Sequence, residues 1–311
     1  MDYFYLIIGI VLLIISGNFL VKSSSALAQY FKIPPIIIGL TIVSFGTSAP
    51  ELFVSANASL LGFSDVAIGN VVGSNIANLG LVLGLSALII AVPVKKSMIK
   101  LDYTVLMLSA IFLGVFMLDY EITRLEGGIL LLLMLAYIFF IVRFLKKKKI
   151  ENNQEEVLQK TYNPIISFLI IIVSCGGLVL GSNSLVKGAV NIATNIGVSE
   201  RIISLTVVAI GTSLPELTTS VIAAIKRNFD ISIGNIVGSN IFNTLFTTGI
   251  SAIINPLSVN KSILQIDYLF MLAFFILLGI FFFPVKNLRI SRFEGLLFLI
   301  AYTVFYYIIF S

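Results

Sequence analysis

One heptapeptide occurs twice, and it occurs where polar residues are least welcome. Gly46-Thr47-Ser48-Ala49-Pro50-Glu51-Leu52 and Gly211-Thr212-Ser213-Leu214-Pro215-Glu216-Leu217 agree at six of seven positions, each inside a long apolar segment. A charged side chain at the centre of a membrane helix costs about 2.5–3.5 kcal/mol on insertion scales, so such groups face a cavity or one another. Proline lacks an N–H and clashes with the carbonyl four residues back. Pro50 therefore frees the carbonyl of Gly46, and Pro215 that of Gly211. Within hydrocarbon, freed carbonyls are tolerated only where protein or a water-lined cavity satisfies them. Each copy thus gathers hydroxyls, loosened carbonyls and one carboxylate, the oxygen set that hard cations such as Na⁺ and Ca²⁺ prefer.

The composition fits that setting. A 311-residue chain that is 58% hydrophobic and 11% charged reads as a polytopic, all-α integral membrane protein. It contains no His, which removes the commonest transition-metal ligand and the usual near-neutral proton carrier. Its single Cys175 excludes an internal disulfide and reads as a packed residue. The apolar N-terminus has no basic lead-in and no small-residue cleavage site, and reads as a retained first helix.

Apolar stretches of spanning length are expected at roughly 3–21, 34–60, 66–92, 102–118 and 127–145, and again at 164–184, 202–225, 232–254, 267–284 and 293–310. That gives ten transmembrane helices: a first five-helix repeat over 1–145, a charged linker over 146–163, and a second repeat over 164–311. At an offset of 165 residues, Ile68-Gly69-Asn70-Val71-Val72-Gly73-Ser74-Asn75-Ile76 aligns with Ile233-Gly234-Asn235-Ile236-Val237-Gly238-Ser239-Asn240-Ile241. Asp102-Tyr103 likewise matches Asp267-Tyr268. Because five is odd, the two repeats are expected to cross the membrane in opposite directions. Inverted-topology repeats of this kind belong to secondary transporters and place the site at the midplane.

Basic residues set the orientation. Sixteen of the twenty Lys and Arg fall on one side of the expected topology, including Lys146 to Lys149. The linker is therefore expected in the cytoplasm and both termini outside a cell (plasma) membrane. The net charge of +5 is then a topology signal rather than a nucleic-acid footprint. The bilayer is the expected environment, and no obligatory protein partner is expected.

Ser44, Thr47, Ser48 and Glu51 are spaced to share one stripe of one helix, with Ala209, Thr212, Ser213 and Glu216 as the partner stripe. Ala209 can offer only its carbonyl. Ser74 with Asn78, and Ser239 with Asn243, are i,i+4 pairs on neighbouring helices. The remaining polar residues read as structural. Gly69/Gly73 and Gly234/Gly238 suit close helix packing, while Asn70, Asn75, Asn235 and Asn240 suit caps or interhelical bonds. Asp102 and Asp267 lie at span ends and read as solvated. A channel would ordinarily build its oxygen rings by oligomeric symmetry. A hydrolase using Ser48 or Ser213 would lack a His or a lysine at membrane depth to activate it. An enzyme is therefore not expected.

The paired G-T-S-x-P-E and G-N-x-V-G-S-N-I blocks resemble the two alpha-repeats of the sodium/calcium exchanger branch of the cation/calcium antiporter superfamily. The resemblance covers essentially the whole transmembrane chain. It implies a ten-helix antiporter in which the first and sixth helices slide across a core of the others, exchanging about three Na⁺ for one Ca²⁺ with no cofactor. In that light Glu51 and Glu216 would bridge Ca²⁺ and Na⁺. Thr47, Ser48, Thr212, Ser213, Ser74 and Ser239 would supply Na⁺ ligands. The carbonyls of Ser44 and Ala209 would complete outer sites, and Asn78 and Asn243 would line the centre. Potassium-dependent relatives carry an acid where this chain has Asn243, so K⁺-independent exchange is expected. A Ca²⁺/H⁺ antiporter of the same fold and K⁺-dependent exchange are the alternatives.

Overall fold

The computed structural model describes residues 2–31, 33–147, 163–195, 209–282 and 288–310. Most of the expected linker and the start of the expected span at 202–225 lie outside the described residues. The first half contains α1 (Asp2–Tyr30), α2 (Pro35–Thr47), α3 (Ala49–Leu60), α4 (Ser64–Ile89), β1 (Val92–Pro93), α5 (Lys96–Lys100), α6 (Asp102–Phe116), β2 (Glu121–Ile122) and α7 (Arg124–Lys147). The second contains α8 (Pro164–Asn195), α9 (Ala209–Thr212), α10 (Leu214–Ile225), α11 (Phe229–Ile254), β3 (Leu257–Ser258), α12 (Ile263–Phe282), β4 (Arg289–Ile290) and α13 (Arg292–Phe310). Among the described residues seven helices are long and apolar enough to cross a membrane, and α2 with α3 makes an eighth if that bent pair is one span. Two further apolar helices, α6 and α10, are shorter.

The expected single stripe from Ser44 to Glu51 does not lie on one continuous helix. Ser48 leaves helical geometry at φ −86° and ψ 8°, and α3 departs from α2 by 47°. Pro50 at the second position of α3 is the cause, since it cannot donate to the preceding turn and fits the first turn of a new helix. Ser213 repeats the same break at φ −85° and ψ 4°, ahead of Pro215. Both glutamates therefore sit in the first turn of a twelve-residue helix, where the N-terminal end of the dipole favours negative charge. Wider π-helical turns at Gly39–Val43, Asn78–Leu83 and Asn243–Thr247 loosen the segments beside these breaks.

Contacts between the halves come in exchanged pairs. Tyr103 donates to the carbonyl of Phe275 at 3.2 Å, and Tyr268 donates to that of Ala110 at 3.0 Å. Strand β1 pairs antiparallel with β4, and β2 with β3. Gly84 packs against Gly295, and Gly249 against Gly127. In each case the second contact joins the residues equivalent to the first, at the 165-residue offset up to Tyr268 and Phe275 and at 168 residues beyond, where Arg124-Leu125-Glu126-Gly127 matches Arg292-Phe293-Glu294-Gly295. Apolar packing falls into two clusters. One unites α4, α6, α7, α11, α12 and α13 around Leu83, Leu113, Phe275 and Phe298. The other joins α1 and α8 through Leu13, Leu20, Ile171 and Leu178.

Asp102 is not solvated. It is buried at 3% exposure and accepts a hydrogen bond from Tyr137 at 2.9 Å, so the start of α6 is folded under α7. Tyr137→Phe removes the donor and leaves a buried carboxyl short of a partner. A loss of about 1–3 kcal/mol is expected, read as a lower thermal midpoint of the detergent-purified protein.

Candidate functional site

The two helix breaks bring their motifs together across the halves. Ser48 donates to Glu216 Oε1 at 2.8 Å, and Ser239 Oγ stands 3.5 Å from the same oxygen. Thr47 donates to Asn235 Oδ1 at 2.9 Å and lies 3.4 Å from Ser239 Oγ. The first-half motif thus holds the second-half carboxylate. Glu51, from the first half, has Ser74, Thr212 and the Glu216 carboxylate as its neighbours. Among the described residues neither glutamate is salt-bridged, although both are fully buried.

The polar atoms left over are concentrated here. Among the described residues, both oxygens of Glu51, Oε2 of Glu216, the hydroxyl of Ser213 and the side-chain amides of Asn78 and Asn243 are buried without a hydrogen-bond partner. Each such group costs about 1–3 kcal/mol when buried unsatisfied, and more when charged. A folded chain does not collect so many at its centre by accident of packing. Two buried carboxylates with neutral oxygens beside them are a donor set that could hold a cation, and their charge matches that of one divalent ion. No group of three or more His, Cys, Asp and Glu occurs among the described residues, so the donors are two carboxylates and neutral oxygens. That composition suits Na⁺ and Ca²⁺ over Zn²⁺ or Cu²⁺.

Of the residues singled out by sequence, Thr47, Ser48, Ser239 and Glu216 lie together, and Ser74 and Thr212 lie beside Glu51. Ser44, Thr47, Ser48, Ser74, Ser213 and Ser239 are buried with the two glutamates, and Asn78 and Asn243 open the π-turns of α4 and α11. Thr212 ends α9, and Ala209 begins it. Ser44 directs its hydroxyl back to the carbonyl of Thr41 at 3.2 Å. The asparagines read as structural behave so. Asn70 donates to the carbonyl of Glu51 and to Ser55, Asn235 donates to Ser220, and Asn75 reaches Thr244 of the other half at 2.8 Å. Gly234 and Gly238 seat α2 at its Gly39, Leu40 and Ser44, whereas no described atom lies within 4 Å of a Cβ built on Gly69 or Gly73. Two features escaped the sequence reading. Asn235 is the acceptor that fixes Thr47, and Ser182 of α8 donates to the carbonyl of Gly211 at 2.5 Å. The first was signalled only by the repeat of Asn70. The second had no signal, because its equivalent 165 residues earlier is Gly17.

Known proteins share both sequence and fold with this chain. The family model described as sodium/calcium exchanger protein matches residues 1–143 and 166–311. The sodium/calcium exchanger MaX1 of Methanosarcina acetivorans is 33% identical over 99% of this chain and 98% of its own length. The inner membrane protein YrbG of Escherichia coli is 34% identical over 86% of this chain and 84% of its own. A solved structure of the sodium-calcium exchanger NCX_Mj superposes with a TM-score of 0.83 at 32% identity, covering 97% of this chain and 96% of that one. With a family match spanning nearly its whole length and full-length relatives above 30% identity, the chain belongs to the sodium/calcium exchanger family.

Proposed function

We propose that the chain is a Na⁺/Ca²⁺ antiporter of a cell (plasma) membrane, working by alternating access around Glu51 and Glu216. The observation that supports this most directly is the set of buried, unpartnered oxygens at the meeting of the two motifs. Ca²⁺ and Na⁺ draw on the same oxygens, so their occupancies exclude one another. Loading neutralises the paired carboxylates and lowers the cost of moving the site past an apolar gate. An empty site with two unpaired charges crosses reluctantly, which suppresses leak and couples the fluxes.

The ligands in this reading are those named from sequence. Glu51 and Glu216 bridge Ca²⁺ and Na⁺, with Thr47, Ser48, Thr212, Ser213, Ser74 and Ser239 serving Na⁺. The carbonyls of Ser44 and Ala209 complete outer positions, and Asn78 and Asn243 line the centre. The fold is read as ten spans in two inverted repeats, 1–145 and 164–311, about a cytoplasmic linker at 146–163, with both termini outside. The exchanged contact pairs support a two-fold relation between the repeats. No cofactor or obligatory protein partner enters the cycle.

The test is ⁴⁵Ca²⁺ uptake into proteoliposomes loaded with Na⁺, with K⁺, or with a proton gradient alone. Uptake is expected to need internal Na⁺ and to be unchanged when K⁺ is added on either side, since position 243 is Asn and adds no further charge to hold K⁺. Uptake driven by the proton gradient without Na⁺ would replace this reading with Ca²⁺/H⁺ exchange. A requirement for K⁺ would remove the role given to Asn243.

A further inference from the structure

The exchanged contacts seen in the Tyr103 and Tyr268 bonds, the strand pairs and the Gly84 and Gly249 packing have no counterpart in how α1 and α8 meet the other helices. Helices α1 and α8 pack closely on each other: a Cβ at Gly9 would lie 2.6 Å from the backbone nitrogen of Leu185, and one at Gly181 would lie 3.0 Å from that of Leu13. Against the core, however, the two helices take unequal places. In α8, Cys175 lies against Gly46, while the equivalent neighbour of Gly211 is not Ile10 but Val186. Ile10 is instead 47% exposed. In α1, Gly17 lies against Thr218 and Ile222 of α10 and half-buries them. Their equivalents on α3, Phe53 and Asn57, are uncovered, and Phe53 is 72% exposed.

Core helices that carry exchanged contacts, touched unequally by a two-helix unit, point to a second place for that unit with the partners exchanged. There α8 would cover Phe53 and Asn57 through Ser182, Ile10 would meet Gly211, and Thr218 and Ile222 would be uncovered. One bond does not survive the exchange. Ser182 donates to the carbonyl of Gly211, the carbonyl that Pro215 deprives of its helical donor. The matching carbonyl is that of Gly46, freed by Pro50, and the matching donor position is Gly17, which has no hydroxyl. We infer that Ser182 is a state-selecting latch, a positioning residue that binds the freed carbonyl of one ion-site motif in only one of the two arrangements of α1 and α8. It acts on the balance between the two arrangements and not on the ions.

This inference rests on the antiport reading, and its test separates the two. A net hydrogen bond shifts a two-state balance about fivefold. In oriented vesicles, Ser182→Ala is expected to change the ratio of half-saturating Ca²⁺ concentrations at the two membrane faces by about that factor. Ser182→Thr, which keeps the hydroxyl, restores the ratio. Gly17→Ser supplies the missing donor and crowds Ile222 in the present arrangement, so it moves the ratio the same way as Ser182→Ala. Amide hydrogen exchange of the purified protein reports the shift without reference to transport: Ser182→Ala slows exchange over 53–57 and speeds it over 218–222. Loss of affinity at both faces together, or unchanged exchange in both segments, would overturn the latch. Wild-type vesicles that take up no Ca²⁺ against Na⁺ would overturn the antiport reading alone, while the exchange data would still decide the place of Ser182.

Discussion

Glu51→Gln and Glu216→Gln are each expected to abolish Na⁺-dependent Ca²⁺ uptake, a loss of at least about a hundredfold, while leaving the protein folded. On the proposed function each substitution removes half of the charge that would balance a divalent ion, and both residues are fully buried. Buried pairs lose about 3–5 kcal/mol when one partner is removed, which is more than two decades in affinity. Folding should survive because both carboxylates are burdens to the empty protein. They are buried, mutually repelling and without salt bridges among the described residues, and an amide relieves that repulsion. The two variants are not equivalent. Glu216 already accepts a hydrogen bond from Ser48, so an amide oxygen can keep that contact, whereas among the described residues neither Glu51 oxygen accepts a bond of that quality. Glu51→Gln should therefore raise the thermal midpoint of the ion-free protein, and Glu216→Gln should raise it less. Added Ca²⁺ should stabilise the wild type and neither variant. A variant that folds and still exchanges Ca²⁺ at a tenth of the wild-type rate would remove that glutamate from the site.

The opposition between stability and function explains why the candidate site was legible in the sequence. Two glutamates, two prolines and a run of hydroxyls in apolar segments have no structural use that would justify their cost, and their duplication at a fixed offset removes chance. What the sequence could not supply was direction. The spacing from Ser44 to Glu51 suggested one stripe. The break at Ser48 turns its hydroxyl toward Glu216 of the other half, leaving Glu51 to Ser74 and Thr212. Asp102 was misread for a related reason: a carboxyl at a span end is solvated unless a neighbouring helix covers it, and Tyr137 is 35 residues away. The separateness of α1 and α8 came from the family resemblance and not from their composition, and the cluster they form also takes in Ile38 and Val43 of α2 and Ala223 of α10.

Close helix contacts in the core give the second large effect, and two adjacent glycines isolate it. Gly127 and Gly128 both lie in the first turns of α7. A Cβ on Gly127 would stand 2.8 Å from Ala252 Cβ, 2.8 Å from the carbonyl oxygen of Gly249 and 3.2 Å from the backbone nitrogen of Ile253. Two of those atoms are backbone, so no rotamer change clears them. A Cβ on Gly128 would meet no described atom within 4 Å. Lipid is as apolar as any helix face, so association in the membrane depends on close approach of this kind rather than on burial from water. Gly127→Leu should separate α7 from α11 and cost about 3 kcal/mol or more, at the upper end of what overpacked sites show. The protein should lose its monodisperse detergent-solubilised form. Gly128→Leu should lie within about 0.5 kcal/mol of the wild type. Gly295, equivalent to Gly127, faces Gly84 and Leu88 backbone in the same way, so Gly295→Leu should match Gly127→Leu in severity. Because Gly249 precedes Ser251, whose carbonyl accepts from Ser59 of α3, a displaced α11 also pulls on the helix that carries Glu51. Mild replacements such as Gly127→Ala should accordingly lower Ca²⁺ affinity before they unfold the protein. A Gly127→Leu protein as stable as Gly128→Leu would show that α7 and α11 are not in backbone contact.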